Sequence, residues 1–125
     1  MPAKDYRELR VYQLAFESAI QIYEISKTFP VEERYSLTDQ IRRSSRSICA
    51  NLAEAWRKRR YPKSFVSKLS DADGEAAETL VWLDFALRLG DISAEVHTNL
   101  VGQYNHICSQ LTLMMAEPEK WTPRK

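Results

Sequence analysis

The chain has 125 residues, a net charge of +1, 44% hydrophobic and 28% charged residues. These values describe a single globular domain, long enough to bury roughly two-thirds of its unfolded surface without disulfide staples. They exclude a low-complexity or collagenous chain, and no apolar run approaches the ~18 residues of a membrane span.

Residues 1–7 read as a loosely held lead-in with no hydrophobic signal core, so the cytoplasm is the expected compartment. Cys49 and Cys108 fit no metal or redox spacing and read as buried free thiols. The first helix is expected over about 8–28. Leu9, Tyr12, Phe16, Ala19, Ile20 and Tyr23 recur at helical spacing and form its expected core stripe. Val11, Ala15, Ile22 and Phe29 fall on the other side. A second apolar face on one helix points to a partner surface, although scattered surface apolars are also ordinary.

Phe29-Pro30 ends that helix. Ser36-Leu37-Thr38-Asp39 reads as a capping box, opening a second helix over about 37–59. At ~100° per residue, Leu37, Ile41, Ile48, Leu52 and Ala55 share one face. Taking Arg42 as zero, Arg60 returns to about 0°, Arg46 lies at about 40° and Arg57 at about 60°. An arginine stripe is thus expected beside the apolar one. From Arg34 to Lys68 there are ten cations against the carboxylates of Asp39 and Glu54, a local charge of +8 in a chain of +1, so the remainder carries −7. Such asymmetry points to a polyanion. The alternative is that Asp71, Asp73, Glu75, Glu78 and Asp84 on the next helix neutralise the arginines.

Tyr61-Pro62 breaks the pattern, and a third helix is expected over about 62–89. Its stripe is Phe65, Leu69, Ala72, Ala76, Leu80, Leu83 and Leu87, with Val81, Trp82 and Phe85 lying off it. Gly90 is placed to close this helix. Asp91 or Ser93 can cap a fourth over about 93–116, with Val96, Leu100, Tyr104, Ile107, Leu111 and Met114 inward. Residues 119–125 read as a loose tail. Four helices with mostly short connections make an all-α, antiparallel up-down-up-down four-helix bundle.

No catalytic constellation stands out. His97 and His106 lack the Glu-x-x-His context of a di-iron bundle, and there is no glycine-rich phosphate loop, Gly-x-Ser-x-Gly or His-Glu-x-x-His. No enzyme, metal or other cofactor is expected.

The order of motifs carries a resemblance. Leu9-Arg10-Val11-Tyr12-Gln13-Leu14-Ala15 is followed by Phe29-Pro30-x-x-Glu33-Arg34-Tyr35-Ser36-Leu37. Then comes Gln40-Ile41-Arg42-Arg43-Ser44-Ser45-x-Ser47-Ile48-x-Ala50-Asn51-Leu52-Ala53-Glu54, and later Leu89-Gly90-Asp91-Ile92. This resembles the four-helix-bundle protein family encoded in intervening sequences of 23S ribosomal RNA genes. It is also similar to the accessory variability determinant proteins of diversity-generating retroelements. The family's usual glycines after the Ala-Glu pair are here Ala55 and Arg57, so a more helical and more basic end to the second helix is expected. Glu75, beside Gly74, stands where a serine is common. The resemblance implies a homopentamer, and its ribosomal RNA origin makes RNA a natural partner.

Two readings follow. In the first, a non-catalytic homo-oligomer binds RNA or DNA phosphates through Arg42, Arg43, Arg46, Arg57, Lys58, Arg59, Arg60 and Lys63, and assembles through Val11, Ile22, Val81, Trp82 and Phe85. In the second, the chain is a scaffold for another protein, its arginines held in ion pairs. Trp56 and Tyr61, near the basic run, are read as packing residues.

Overall fold

The computed structural model describes residues 3–123. Four helices run Arg10–Ser26 (α1), Leu37–Arg57 (α2), Pro62–Arg88 (α3) and Ala94–Ala116 (α4), with short 3-10 turns at Tyr6–Glu8, Val31–Glu33 and Pro118–Lys120. No strand occurs among the described residues. Each helix packs on its neighbours in the cyclic order α1–α2–α3–α4, which makes an antiparallel four-helix bundle.

The faces of α2 and α4 bury as their periodicity requires. Leu37, Ile41, Ile48, Leu52 and Ala55 are buried on α2, and Leu100, Tyr104, Ile107, Leu111 and Met114 on α4. On α3 the buried line runs Phe65, Leu69, Ala72, Ala76, then drifts to Thr79, Leu83 and Ala86, leaving Leu80 and Leu87 half-buried. Small residues at this contact permit close approach of α2 and α3. Two of the hydroxyls that enter the core there are satisfied, Ser44 Oγ lying 2.8 Å from Thr79 Oγ1, which donates to the Glu75 carbonyl at 2.9 Å, whereas Thr38 Oγ1 on α2 and Tyr104 OH on α4 are buried without a protein partner. Burial without such partners costs ~1–3 kcal/mol per group.

On α1 the structure largely reverses the expected faces, and of the expected stripe only Leu9 and Ala19 are buried. Val11, Ala15, Ser18, Ala19 and Ile22 point inward, while Phe16 and Ile20 are 46% and 45% exposed. Val11 and Ile22 are therefore part of this chain's own core, and the expectation that they face a partner is corrected. Two serines disguised the inward face. Ser18 is buried but donates from Oγ to Gln103 Oε1 on α4 at 2.7 Å, and Ser26 donates to the Tyr23 carbonyl at 2.9 Å. Phe29 is buried, and it closes the end of the core where α1 turns toward α2.

The helix ends follow local chemistry. The expected capping box at Ser36 does not form; Glu33 reaches forward instead. Its Oε1 accepts from the Leu37 amide at 3.3 Å and from the Ser36 hydroxyl. At the end of α3, Gly90 takes φ +80, the Gly90 amide bonds Leu87 O at 3.0 Å and the Asp91 amide bonds Ala86 O at 2.8 Å. This paired arrangement is the Schellman stop that a left-handed glycine permits. Ser93 caps α4, accepting from the Val96 amide at 3.1 Å.

Both ends of the described chain are more ordered than the sequence suggested. Tyr6 meets Tyr12 edge-to-face at 5.0 Å, and Trp121 packs against the core after its 3-10 turn. The last two residues of the expected tail, and the first two of the lead-in, lie outside the described residues.

Candidate nucleic-acid interface

The basic residues of α2 and its C-terminal turn divide into three groups, because α2 ends at Arg57 and the chain turns before α3. The amide of Tyr61 bonds Lys58 O at 2.9 Å within that turn. Arg60 therefore leaves the helical register that would have stacked it over Arg42 and Arg46.

The first group serves the fold. Arg42 Nε donates to Ser26 Oγ at 2.7 Å, and its guanidinium lies 4.8 Å from the Tyr23 ring centroid. Arg46 approaches the same ring at 5.8 Å. With Tyr12, Phe16, Ala19, Ile20, Tyr23 and Cys49, Arg46 lines an apolar groove of about 430 Å³ between α1 and α2. Arg42 thus clips the end of α1 to α2 and is half-buried in doing so.

Arg43 forms the second group. It pairs with Glu75 at 3.4 Å and with Glu78 of α3, and Glu78 also accepts from Trp82 Nε1 at 3.3 Å. The hydrogen bond to Glu78 raises the Arg43 pKa further above its ordinary value. Burial, reinforced by the neighbouring carboxylate, holds Glu75 above the usual carboxylate range. Burial acts the same way on Glu78, but hydrogen bonds from Arg43 and Trp82 outweigh it and leave that group lowered. Lys68 is likewise engaged, with Glu54 at 3.0 Å and Asp71 at 3.7 Å.

The third group is a groove at the end of the bundle where α1 begins, α2 ends and α3 begins. It encloses about 680 Å³ and is lined by Lys4, Asp5, Tyr6, Arg7, Trp56, Arg57, Arg59, Arg60, Tyr61 and Pro123. Five cations thus face one carboxylate, and that carboxylate, Asp5, is held by Arg7 at 3.0 Å. Arg59 lies flat on Trp56, its guanidinium carbon 3.6 Å from the ring centroid, and donates from Nε to the Trp56 carbonyl at 2.8 Å. Burial lowers the Arg59 pKa from its usual value, which still leaves an arginine charged. Trp56 is a packing residue as expected, 7% exposed. Tyr61 is not: its side chain stands out of the turn, 61% exposed. Lys58 is exposed in the same turn, and Lys63 is exposed at the second residue of α3, beside a shallower depression with Pro62 and Asp71.

Sequence reasoning identified Arg57, Lys58, Arg59 and Arg60 but missed Lys4, Tyr6 and Arg7. Lys4 and Arg7 sit three residues apart, a one-turn spacing that could have signalled a shared side. Nothing in the sequence placed them against the end of α2. Of the expected assembly residues, Val81 and Phe85 are 48% and 52% exposed, and Trp82 is half-buried with its ring 6.0 Å from Phe85. Among the described residues no three His, Cys, Asp or Glu side chains converge on a point that could hold a metal. No helix among the described residues is long and apolar enough to cross a membrane.

The molecule is thus a four-helix bundle with a cationic groove at one end and aromatic residues left outside on α1 and α3. The family model for the 23S rRNA-intervening sequence protein matches residues 7–113, and the chain belongs to that family. Among solved structures, it is similar to a protein of unknown function from the S23 ribosomal protein family of Bacteroides thetaiotaomicron. The identity is 29% and the TM-score 0.77, over 85% of this chain and 95% of that one. No curated protein matches it in sequence.

Proposed function

We propose that the chain is a non-catalytic, cytoplasmic nucleic-acid-binding protein that holds phosphates in the groove at the end of the bundle and acts as a homo-oligomer. The observation that supports this reading is the convergence of Lys4, Arg7, Arg57, Arg59 and Arg60, from two separate stretches of chain, on one concavity whose only acid, among the described residues, is Asp5. Like charges brought together without compensating carboxylates destabilise the fold slightly, and a bound polyanion reverses that. Contacts of this kind are largely independent of base sequence. A homo-oligomer repeats the groove and multiplies weak contacts by avidity. The exposed Val81 and Phe85 on α3, with Phe16 and Ile20 on α1, offer it apolar contact surfaces.

A second reading has its own observation. Arg43 and Lys68 are committed to Glu54, Asp71, Glu75 and Glu78, as expected of a scaffold whose charges serve the bundle. That reading accounts for the middle of α2 and leaves the end groove without a purpose.

The test is RNA and DNA binding across a salt series, for the wild type and an Arg57/Lys58/Arg60→Ala variant. Arg59 is left in place because it covers Trp56. Binding that weakens steeply with salt is expected, its log–log slope shallower by about 2–3 in the variant, since each phosphate contact contributes ~0.7–0.9. A wild-type protein with a cooperative melting transition that binds neither polymer at ~50 mM salt overturns the proposal and favours the scaffold.

A further inference from the structure

We infer that the groove takes single-stranded nucleic acid, with Tyr61 as the platform on which one base stacks. This inference rests on the phosphate-binding reading above and specifies its ligand.

The argument begins with the exposure of Tyr61. A tyrosine in a turn between two helices ordinarily lays its ring on one of them. Here the backbone of Tyr61 is fully engaged. Its amide bonds Lys58 O at 2.9 Å and its carbonyl accepts from the Phe65 amide at 2.9 Å, while the ring is 61% exposed. The ring is thus held at the edge of a groove by a fixed backbone, with most of its surface left to solvent. Arg60 precedes it and Pro62, whose ring fixes its own backbone, follows.

The second observation is the depth of π surface beneath. The guanidinium of Arg59 lies 3.6 Å from the Trp56 centroid, and that of Arg7 lies 4.7 Å from the Tyr6 centroid. Tyr6, Trp56 and Tyr61 therefore border one groove of about 680 Å³, the Arg7 and Arg59 guanidinium groups lie over the first two rings, and Tyr61 is the most exposed ring of the three. That size falls in the roughly 300–1,000 Å³ range of sites for drug-sized ligands, the class to which one nucleotide belongs.

Phosphate capture alone needs none of this. Charges that meet a duplex contact a convex backbone whose bases are stacked on one another, so no base face is open to a tyrosine. A single strand offers both a flexible backbone for the arginines and an unstacked base for the ring. Stacking of this kind is tolerant of base identity because every base presents a π face.

The experiment uses the full chain and fluorescently labelled 12-nucleotide oligo(dA) and oligo(rA), and a 12-base-pair duplex, at matched salt. The single strands are expected to bind about tenfold tighter than the duplex, on either sugar, and the ratio between the two assigns the sugar preference. Tyr61→Ala is expected to weaken single-strand binding about fivefold to tenfold with an unchanged salt slope, since no charge is removed, and to move duplex binding less than about twofold. Tyr61→Phe is expected to retain the wild-type affinity. Salt-dependent binding in which the duplex matches the single strands, or in which Tyr61→Ala is neutral, overturns this inference and leaves the phosphate reading standing. Absence of binding to all three probes overturns both. The melting temperature of each variant separates loss of contact from loss of fold, and the exposure of Tyr61 predicts that it stays unchanged.

Discussion

Arg42 and Arg43 are neighbours in sequence with opposite surroundings. One folds back onto Tyr23 and Ser26 of α1; the other reaches across to Glu75 and Glu78 of α3. Residue type and helical angle foretold that both would leave the core, and no more. Which carboxylate or ring each would meet depends on how α1 and α3 are set against α2, which is tertiary information. The thiols are a cleaner case. Burial pushes Cys49 and Cys108 each up to about 11, against an ordinary thiol near ~8.5. At pH 8 the thiolate, which is the reactive form, is then scarcer by roughly two orders of magnitude than in an unfolded chain. Modification by a disulfide reagent at pH 8 is expected to run about 100-fold slower for the native protein than in denaturant, and equal rates would contradict the burial of both groups. The linkage has a definite sign. Between the unfolded value near ~8.5 and the folded value, the unfolded state binds fewer protons than the native state, so stability held below pH 8 declines as pH rises toward 11.

At the scale of elements, α4 was legible because its buried positions are nearly all apolar and evenly spaced, and α2 because its large apolar residues keep helical spacing although Thr38, Ser44 and Ser45 are buried among them. The face of α1 was not, because Ser18 and Ser26 lie on its inward side, whereas the outward side carries Tyr12, Phe16, Ile20 and Tyr23. Bulk was taken as a sign of burial, yet Ala15, Ser18 and Ala19 are what let α1 settle against its neighbours. The cap of α2 was misassigned for a related reason. Ser36 and Asp39 have the right spacing, but Glu33 sits on a 3-10 turn that brings its carboxylate to the Ser36 hydroxyl and the Leu37 amide, so the Ser36 side chain is turned to Glu33 instead of the helix amides. The stop of α3 could be read from sequence, since a left-handed residue there favours glycine. A Cβ at Gly90 meets no atom within 4 Å, so the cost of Gly90→Ala is conformational alone. It is expected to lower stability by about 1–2 kcal/mol, or roughly 4–8 °C in the midpoint of thermal unfolding, with Gly90→Asn losing less. An unchanged midpoint would show that the α3–α4 connection does not need its left-handed turn.

For the molecule as a whole, the charge separation was legible, and the groove it produces was not. The accessible surface is 7847 Å², roughly one-seventh more than the ~6,900 Å² expected of a monomer of 14.5 kDa. Part of that excess is the aromatic surface on α1 and α3. These two helices are not consecutive around the bundle, so the two apolar faces look in different directions. Contact between unlike faces of successive copies is head-to-tail and gives a ring where the rotation closes and an open filament where it does not, whereas a face meeting its own copy gives a dimer. A homo-oligomer of the first kind makes a specific forecast. Phe16→Asp and Phe85→Asp each remove one face and are expected to yield monomers by light scattering. An equimolar mixture of the two variants retains one complementary pair of faces and is expected to give a two-chain species. A mixture that remains monomeric, or single variants that keep the wild-type mass, counts against the head-to-tail arrangement. The groove has one more consequence, which concerns handling. Lys4 and Pro123 both line it, so an even number of antiparallel helices has brought both ends of the described chain to the same pole as the arginines. A peptide joined directly to Lys4 or Pro123 starts beside the site. An acidic tag is placed to occupy the groove and a polyhistidine tag to add cations of its own, so binding measured on a tagged protein reports the tag as well as the protein.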